Sequence, residues 1–435
     1  MAPPVPARKP HVRSGLKFRN PLEFEFELYP AALGAGIPKD HPVRALAKRI
    51  EKLDLSKLLE VYDKKGGIPY HPAHMLAVVI FGISQGIRGE RDLQECCLFD
   101  IRYRYLAGGH TPDDRSFGRF LIRVAPYLDE LLAETRKAAR KEGMGRGNEA
   151  AVDGTKMEAA CSQRQGKVSE LEPEAQTMAA SRGFVLGYNA QAMVDTTDGF
   201  VLAAEVINDA NDFEAAPKVL QAMRKQGKDL PARIVADSNY DSPSTICALE
   251  EAGVDTCIRL HSELPEYAGE NADGVLVCRA GRPLEKCFSS SKGEGKGIYD
   301  YYGLKNCKGC PLFEACDMKR KRLGVPEGED IAARFRNRDR LKHCDGAMAR
   351  RRRIEKTFGS MKEHDRLRRF RRRGLAKARA EFVLWACTYN LFKLIRKAAE
   401  RKRHESCFLA ILKTVFGVLT ELISGLFQPK VRVAA

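Results

Sequence analysis

Two aspartates stand where the chain could perform metal-dependent chemistry. Asp153 follows the short apolar run of residues 150–152, and Asp237 follows a second such run at 234–236. A carboxylate at the end of a buried strand is held rigidly while its oxygen atoms reach a cleft. Two of them on neighbouring strands would repel each other unless a proton or a cation lay between them, and Mg²⁺ prefers such hard oxygen ligands. Taken singly, each aspartate is more often a turn or cap residue.

Glu355 is the third acidic residue of interest, and it lies in a segment with helical periodicity. Arg351, Glu355 and Lys362 are separated by four and seven residues, so they lie on one stripe of a helix. The spacing predicts a carboxylate flanked by two cations, and an array of surface ion pairs is the alternative interpretation. An adjacent apolar stripe would dock this helix on a sheet: Ile354, Phe358 and Met361.

Four cysteines have the spacing of a zinc site. Cys307 and Cys310 form a C-x2-C pair, Cys316 follows them, and Cys278 precedes them. Four thiolates could make a closed tetrahedral Zn²⁺ site, and a metal would explain how a segment with little apolar content folds. Ordinary reduced thiols are the alternative, because the cysteine pattern does not indicate a disulfide framework. Three residues compete as the fourth ligand: Cys287, His343 and Cys344.

The chain is strongly basic, with a formal net charge of +17 and an isoelectric point near 9.3. Such a surface attracts phosphate backbones, anionic membranes or acidic proteins, and nucleic acid is the favoured partner. Six of the eight residues from 366 to 373 are arginines. Because this run directly follows the helix of Glu355, a DNA-backbone contact is favoured over a merely solvated surface. The arginines predicted to bind phosphate here are Arg366, Arg368, Arg369 and Arg371.

Hydrophobic periodicity predicts the elements that position these residues. Helices are expected near 42–61, 74–87, 91–106 and 113–141. On the last of them Arg115, Arg119 and Arg123 recur every four residues, so they form either a solvated face or a phosphate-contacting one. Strand and helix patterns then alternate from 150 to 258, which predicts a mixed α/β sheet.

Two later segments depart from this pattern. Residues 261–344 lose periodicity, which indicates a separate subdomain or partial disorder rather than a bare loop. The apolar stretch 407–427 is interrupted by Lys413 and Glu421, so it is interpreted as a packed or oligomerising helix and not as a membrane span. The first ten residues contain no apolar core segment, so we expect no signal peptide and a cytoplasmic location.

Taken in order, seven blocks of the sequence carry a family resemblance. They are HMLA at 74–77, LAGGHTPDDRSFGRF at 106–120, VDGTK at 152–156, GYNAQAMVD at 187–195, ADSNYDS at 236–242, and the segments 351–362 and 369–390. Each block alone is weak, but the ordered set resembles the DDE transposases of bacterial insertion sequences. The resemblance covers roughly residues 65–400, lies within the broad IS4/IS5 group, and is strongest to the IS1182 family, whose insertion also has cysteines similar to the four above.

The resemblance implies an RNase H-like catalytic fold in which Asp153, Asp237 and Glu355 hold two Mg²⁺ (or Mn²⁺) ions for phosphoryl transfer. Arg351 and Lys362 are then expected to clamp phosphates. IS4-type enzymes have a tyrosine three residues before that arginine, where this chain has Met348, so the tyrosine's DNA contact is not expected. The implied partners are double-stranded DNA, as transposon terminal repeats and target, and a second copy of the chain in a synaptic complex, with no membrane. The implied location is the bacterial nucleoid.

We therefore expect an α/β protein of six segments. They are an N-terminal arm and short helix (1–70), a helical DNA-binding domain (71–145), the first part of the catalytic domain (146–260), a Cys-rich insertion (261–344), the second part with the catalytic helix (345–400), and a C-terminal helix (401–435).

Three functional classes fit these observations. The first is an active transposase, the second a relic that only binds DNA, and the third an RNase H-fold nuclease without strand transfer. The relic is disfavoured because all three acidic positions are present. A zinc-finger regulator would explain the cysteines but would leave Asp153, Asp237 and Glu355 without a role.

The basic segments predict a steep salt dependence of DNA binding. If six or more phosphates are neutralised, affinity should fall about 10³-fold or more between 50 and 200 mM salt. Fluorescence anisotropy with a labelled duplex measures this, and a nearly flat salt dependence would contradict the assignment of these arginines.

Overall fold

Six strands form one mixed sheet at the centre of the fold: β1 (Glu149–Glu158), β2 (Gln176–Ala180), β3 (Gly183–Asp195), β4 (Val201–Ile207), β5 (Arg233–Ala236) and β6 (Asp255–Ile258). β3 is antiparallel to β1, β2 and β4, whereas β5 is parallel to both β1 and β6. The order is β2-β3-β1-β5-β6, with β4 also on β3. The predicted mixed α/β architecture is confirmed.

The structure is a computed structural model that describes residues 33–62, 67–161, 172–180, 183–225, 230–261, 264, 268–291, 298–303, 307, 309–314, 316, 322–326 and 331–426, with side chains as far as residue 406. The predicted N-terminal arm up to residue 32 and the side chains of the 407–427 stretch lie outside the described residues.

Helices cover both faces of the sheet, as its parallel half requires. They are α8 (Ala215–Lys225), α9 (Pro243–Glu251), α10 (Ile331–Leu341), α11 (Ala347–Glu363) and α12 (Leu375–Leu426). On one face, Val219 of α8 and Ile246 of α9 join Ile234 of β5 in a buried cluster. On the other, Ile354 and Met361 of α11 join a second and larger cluster. α11 therefore lies across the sheet by its apolar stripe, as its spacing predicts.

Two buried asparagines cap the strands at the two edges of this sheet. Asn390 of α12 accepts from the backbone N–H of Val201 at 2.9 Å and donates to its carbonyl oxygen at 2.8 Å. Asn337 of α10 makes the same pair of bonds to Ile258, at 3.0 and 2.7 Å. Each amide thus satisfies a donor and an acceptor that the strand edge would otherwise leave unpaired.

Between residues 33 and 148, the described residues form seven α-helices ahead of the sheet: α1 (Pro42–Glu51), α2 (Ser56–Glu60), α3 (Pro72–Ser84), α4 (Glu90–Phe99), α5 (Ile101–Leu106), α6 (Asp114–Val124) and α7 (Leu128–Lys141). Three segments that were each predicted as one continuous helix form two helices in the structure. The 42–61 pattern is α1 and α2, and the 91–106 pattern breaks at Asp100, whose carboxylate accepts the N–H of Arg102 at 2.8 Å and so caps α5. The 113–141 pattern breaks at Pro126, which has no N–H to continue a helix.

The 261–344 segment contains regular structure that its sequence pattern did not predict. Its strands are β7 (Ala268–Glu270), β8 (Leu276–Cys278), β9 (Glu285–Ser291), β10 (Ile298–Gly303) and β11 (Leu323–Pro326). α10 joins this part to the sheet, because Phe335 is buried in the small cluster of the insertion while Asn337 holds β6. At the other end of the chain, α12 runs without a break through residue 400. Among the helices of the described ranges, none has the length and apolar character that a membrane span needs.

Substituting Asn337 by leucine should lower the free energy of unfolding by about 2–4 kcal/mol, because the N–H and C=O of Ile258 would lose their partners in a buried site. Urea denaturation followed by circular dichroism measures the change. Gln221→Leu, on the exposed surface of α8, is the matched control and should change little. Equal stability of the two variants would contradict the edge-capping role.

Candidate active site

Asp153 and Asp237 occupy matching positions on neighbouring parallel strands. Ala151 of β1 pairs with Val235 of β5, and each aspartate lies two residues further along. Because side chains alternate along a strand, both carboxylates lie on the sheet face that α11 covers. Asp237 also accepts the N–H of Asn239 at 2.9 Å, so it caps the single 3₁₀ turn that follows β5. Asp237 follows the end of β5 as predicted, whereas Asp153 lies within β1, which continues to Glu158. The pairing of β1 with β5 brings the two predicted carboxylates together.

α11 brings the third carboxylate to the same place. Ile354 and Met361 are fully buried, which fixes the rotation of the helix about its axis. Glu355, next to Ile354, points along the sheet toward the aspartates and remains half-exposed, with 54% of its side chain accessible compared with 19% for Asp153. The site therefore has an exposed carboxylate, that of Glu355, beside a largely buried one, that of Asp153.

The guanidinium of Arg351 lies among the three carboxylates. Its Nη1 is 3.0 Å from Asp153 Oδ2 and 3.7 Å from Asp237 Oδ2, and its Nη2 is 3.2 Å from Glu355 Oε1. Three acidic groups converge on one cation, which is the arrangement that repulsion between them demands. In this respect the guanidinium stands in for a metal ion.

The electrostatics of Asp153 fit a site for a more highly charged cation. Burial raises the pKa of Asp153 to about 6; the Arg351 guanidinium lowers it, and the nearby Asp237 carboxylate raises it further. The single positive charge of Arg351 thus offsets only part of the cost of ionising Asp153. A divalent ion would supply twice that charge to the same hard oxygen donors. Within the described residues no three acidic, His or Cys side chains are spaced around one metal position, and the space among the three carboxylates holds the guanidinium of Arg351.

Lys362 lies further along the same helix face, above β1. Its Nζ donates to Thr155 Oγ1 at 2.5 Å, and Thr155 is on the same face of β1 as Asp153. Burial, followed by the neighbouring Arg368, lowers the pKa of Lys362. Of the two cations predicted to flank Glu355, Arg351 contacts its carboxylate, whereas Lys362 contacts Thr155 of β1.

A buried polar network on the opposite face of the sheet ties the two aspartate-bearing segments together. The hydroxyl of Tyr240, in the turn after Asp237, donates to Gln191 Oε1 at 2.6 Å. Gln191 Nε2 donates in turn to Asp212 Oδ1 at 2.7 Å, and Asn189 Nδ2 donates to the same oxygen at 2.6 Å. Burial raises the pKa of Tyr240, so its hydroxyl keeps the proton that it donates.

Gly154 lets this network pack directly behind Asp153. It pairs with Gln191 across the β1–β3 ladder, and a Cβ at this position would lie 2.1 Å from Gln191 Nε2 and 2.8 Å from Asn189 Oδ1. These residues were not predicted from the sequence. The pattern that could have indicated them is a pair of amides, Asn189 and Gln191, two positions apart in an otherwise apolar strand. Both side chains are fully buried, so both need partners inside the fold.

Arg88 and Glu381 hold the arginine run through hydrogen bonds to its backbone. Arg88 donates through Nη1 to the carbonyl oxygen of Arg369 and through Nη2 to that of Arg366, both at 3.0 Å. Glu381 pairs with Arg88 at 2.8 Å and accepts the N–H of Arg371 at 2.9 Å. Burial raises the pKa of Glu381, an effect opposed by Arg371 and Arg88. This ion pair fixes the path of the run, while Arg366, Arg368, Arg369 and Arg371 are exposed.

The predicted phosphate-binding arginines differ in their own contacts. The guanidinium of Arg369 donates to the carbonyl oxygens of Ala159 and Ala160, at 2.9 and 2.8 Å, and so fastens the run to the end of β1. Arg368 pairs with Glu363. On α6, Arg115 and Arg119 are exposed, whereas Arg123 lies over the ring of Tyr62 at 5.2 Å.

The four predicted zinc ligands are only partly drawn together. Cys278 is buried in the small cluster of the insertion, and Cys316 packs against that cluster. Cys307 and Cys310 form a turn in which the N–H of Cys310 donates to the carbonyl oxygen of Cys307 at 3.2 Å. In the described part of the insertion, no three of these side chains are positioned to hold one ion.

Sequence comparison identifies the family. A model described as Transposase DDE domain matches residues 145–391, more than half of the chain, and one described as Transposase domain (DUF772) matches residues 31–123. The chain belongs to the transposase DDE-domain family. It is a DNA transposase, an enzyme that cleaves DNA with divalent metal ions.

Solved structures show only distant similarity. A piggyBac transposase synaptic complex with hairpin DNA is 11% identical, covers 86% of this chain and 78% of its own, and gives a TM-score of 0.32. The Mos1 transposase paired-end complex with a left transposon end is 13% identical, covers 45% and 61%, and gives 0.16. No curated protein matches the chain. The family assignment therefore rests on the sequence models alone.

Replacing Tyr240 by phenylalanine should slow metal-dependent DNA cleavage by up to about tenfold, the worth of one buried hydrogen bond, because the turn carrying Asp237 loses its tie to Gln191. The Mg²⁺ concentration for half-maximal cleavage should rise in the same variant. Tyr301→Phe, the same change in the insertion, is the control. If the two variants respond alike to Mg²⁺, the network does not position Asp237.

Proposed function

We propose that this transposase cleaves the ends of an insertion sequence of the IS1182 type and joins them to target DNA, using Asp153, Asp237 and Glu355. The observation that carries the proposal is the convergence of these three carboxylates on one cation, at 3.0, 3.7 and 3.2 Å. No structural role accounts for three acids at that point, since a buried pair would need only one of them.

The triad would hold two Mg²⁺ or Mn²⁺ ions. Bound ions of this kind activate a water or a 3′-hydroxyl and stabilise the leaving oxygen of a phosphodiester. The chain's own residues supply the rest. Asp153 and Asp237 are fixed by strands and by the network behind them, and Glu355 completes the set from the rigid face of α11. Arg351, once released from the carboxylates, and Lys362 are placed to orient the scissile phosphate by charged hydrogen bonds.

An RNase H-like catalytic domain agrees with the sheet. Its β4-β3-β1 half is antiparallel and its β1-β5-β6 half is parallel, with the two aspartates on the central strands β1 and β5. We retain the six-segment organisation as part of the proposal: an arm (1–70), a helical DNA-binding domain (71–145), a catalytic domain in two parts (146–260 and 345–400), the insertion (261–344) and a C-terminal helix (401–435).

The DNA contacts follow from the exposed cations. Arg115 and Arg119 on α6 would bind the phosphate backbone from the N-terminal helices, and Arg366, Arg368 and Arg371 would do so from the run that Arg88 and Glu381 hold in place. Arg369 acts there mainly through the backbone of residues 159–160. The working assembly is a homodimer that pairs two terminal repeats in a synaptic complex on the bacterial nucleoid.

A structural Zn²⁺ held by Cys278, Cys307, Cys310 and Cys316 is a second element of the proposal. The turn at Cys307–Cys310 and the shared packing of Cys278 and Cys316 support it, and binding would draw residues 307–316 toward β8. Elemental analysis of the purified protein should give about one zinc per chain. Active protein without zinc would overturn the assignment.

Glu355→Gln should abolish both cleavage and strand transfer on DNA carrying the element's own ends, a loss of about 10²-fold or more, while DNA binding is kept. Gel analysis of products with and without Mg²⁺ measures both steps. Glu251→Gln is the matched control, since Glu251 is an exposed glutamate at the end of α9 and lies outside the residues assigned to DNA.

Three outcomes separate the functional classes. Cleavage and joining that are lost only in Glu355→Gln support the proposal. Cleavage without joining identifies a nuclease, and binding with neither reaction identifies a DNA-binding relic. A Glu355→Gln variant that still nicks the ends would remove Glu355 from the catalytic set.

A further inference from the structure

An open groove of about 590 Å³ lies between α11, α12 and the turn that joins β3 to β4. Four cationic side chains line it: Lys356 of α11 and Lys393, Arg396 and Lys397 of α12. Hydroxyl groups of Ser360 and Tyr389 add hydrogen-bonding atoms between them. The groove is therefore a basic, polar surface, separate from the residues assigned above.

Two lysines of the groove have no acidic partner. In the part of the chain that the structure describes, Lys356 and Lys397 are exposed and donate to no protein acceptor. Arg396 is also exposed, and its charge acts on the Asp365 carboxylate, where it opposes the rise in pKa that burial causes. Two unpaired lysines beside an exposed arginine leave a positive potential that an anionic ligand would satisfy.

The acidic residues of the groove do not cancel this potential. Asp198 directs both of its oxygens at backbone N–H groups, those of Gly145 at 2.7 Å and Phe200 at 2.9 Å. Glu400 is exposed at the edge of the groove, on α12. Lys393 lies over the Tyr389 ring at 5.3 Å, donates to the Tyr389 hydroxyl at 3.5 Å and acts on the Asp198 carboxylate, so it adds little to the free charge of the groove.

The groove and the triad are on different sides of α11. Glu355 faces the sheet, whereas Lys356, Ser360 and His364 follow one another at four-residue spacing and so share another face of the helix. Successive residues are about 100° apart around the axis, so Lys356 points away from the carboxylates although it is next to Glu355 in sequence. A phosphate bound here cannot be the one that is cut.

We propose that this groove binds the phosphate backbone of duplex DNA at a segment other than the one held at the triad. Lysine and arginine contact phosphates without reading sequence, so binding here should be independent of sequence. The inference rests on the proposed function, because it takes DNA as the substrate. The duplex is either the transposon end continuing past α11 or the target, and both offer the same backbone chemistry.

The test compares Lys356→Gln/Lys397→Gln with Lys52→Gln/Lys225→Gln, which removes the same charge at two exposed lysines outside the groove. Anisotropy with a terminal-repeat duplex and with an unrelated duplex is measured over a series of KCl concentrations. Loss of two phosphate contacts should lower the slope of log affinity against log salt by about two relative to the control. Equal slopes for the two variants would overturn the proposal.

Reaction assays identify which DNA the groove holds. If it holds the transposon end, the groove variant loses both cleavage and the joining of pre-cut ends. If it holds target DNA, cleavage is kept and joining falls, and a higher target concentration restores it. If the wild-type protein binds both duplexes but neither cuts nor joins them, the proposed function fails, and the salt slopes still decide whether the groove binds DNA.

Discussion

Repulsion between like charges is the constraint on which this structure depends. Asp153, Asp237 and Glu355 can lie together only if a cation lies among them, and in the structure that cation is the guanidinium of Arg351. Because Arg351 and Glu355 are four residues apart on one helix, the counter-ion and the third acid arrive together when α11 docks. The site can therefore fold without a metal ion.

The rest of the fold keeps these groups in place from two sides. On one face the apolar stripe of α11 sets the rotation of Glu355. On the other face Tyr240, Gln191 and Asp212 connect the turn after β5 to β3 behind β1. The buried asparagines at the sheet edges and the Arg88–Glu381 pair act at larger distances. Asn390 holds β4 against α12, Asn337 holds β6 against α10, and the Arg88–Glu381 pair holds the arginine run against α12. Each of these contacts is made by a buried polar group that is hydrogen-bonded to a partner, so each holds the segments that it joins in a single arrangement.

The parts of the site that follow from local pattern could be predicted from sequence. The four- and seven-residue spacing placed Glu355 correctly beside the apolar stripe of α11, and the apolar run before Asp237 placed that residue correctly after β5. The same pattern was wrong for Asp153, which lies within β1 because the strand continues to Glu158. Contacts between distant residues could not be predicted in this way, because Arg88 and Glu381 are 293 positions apart. Strand β9 of the insertion left no signal, since every residue of it is exposed and a strand without a buried face has no period of two. The sequence does contain signals for the breaks at Asp100 and Pro126, namely a capping side chain and a residue without an N–H. The prediction missed both breaks because the apolar periodicity continues across them.

The measurement that tests the central claim most directly is calorimetric titration of Mn²⁺ into the wild-type protein and into Asp153→Asn, with Asp273→Asn in the exposed β7–β8 turn as the control. We expect Mn²⁺ to bind to the wild type and to the control, and its binding to be lost in Asp153→Asn. Binding of equal strength in all three proteins would show that the carboxylates around Arg351 are not the metal site.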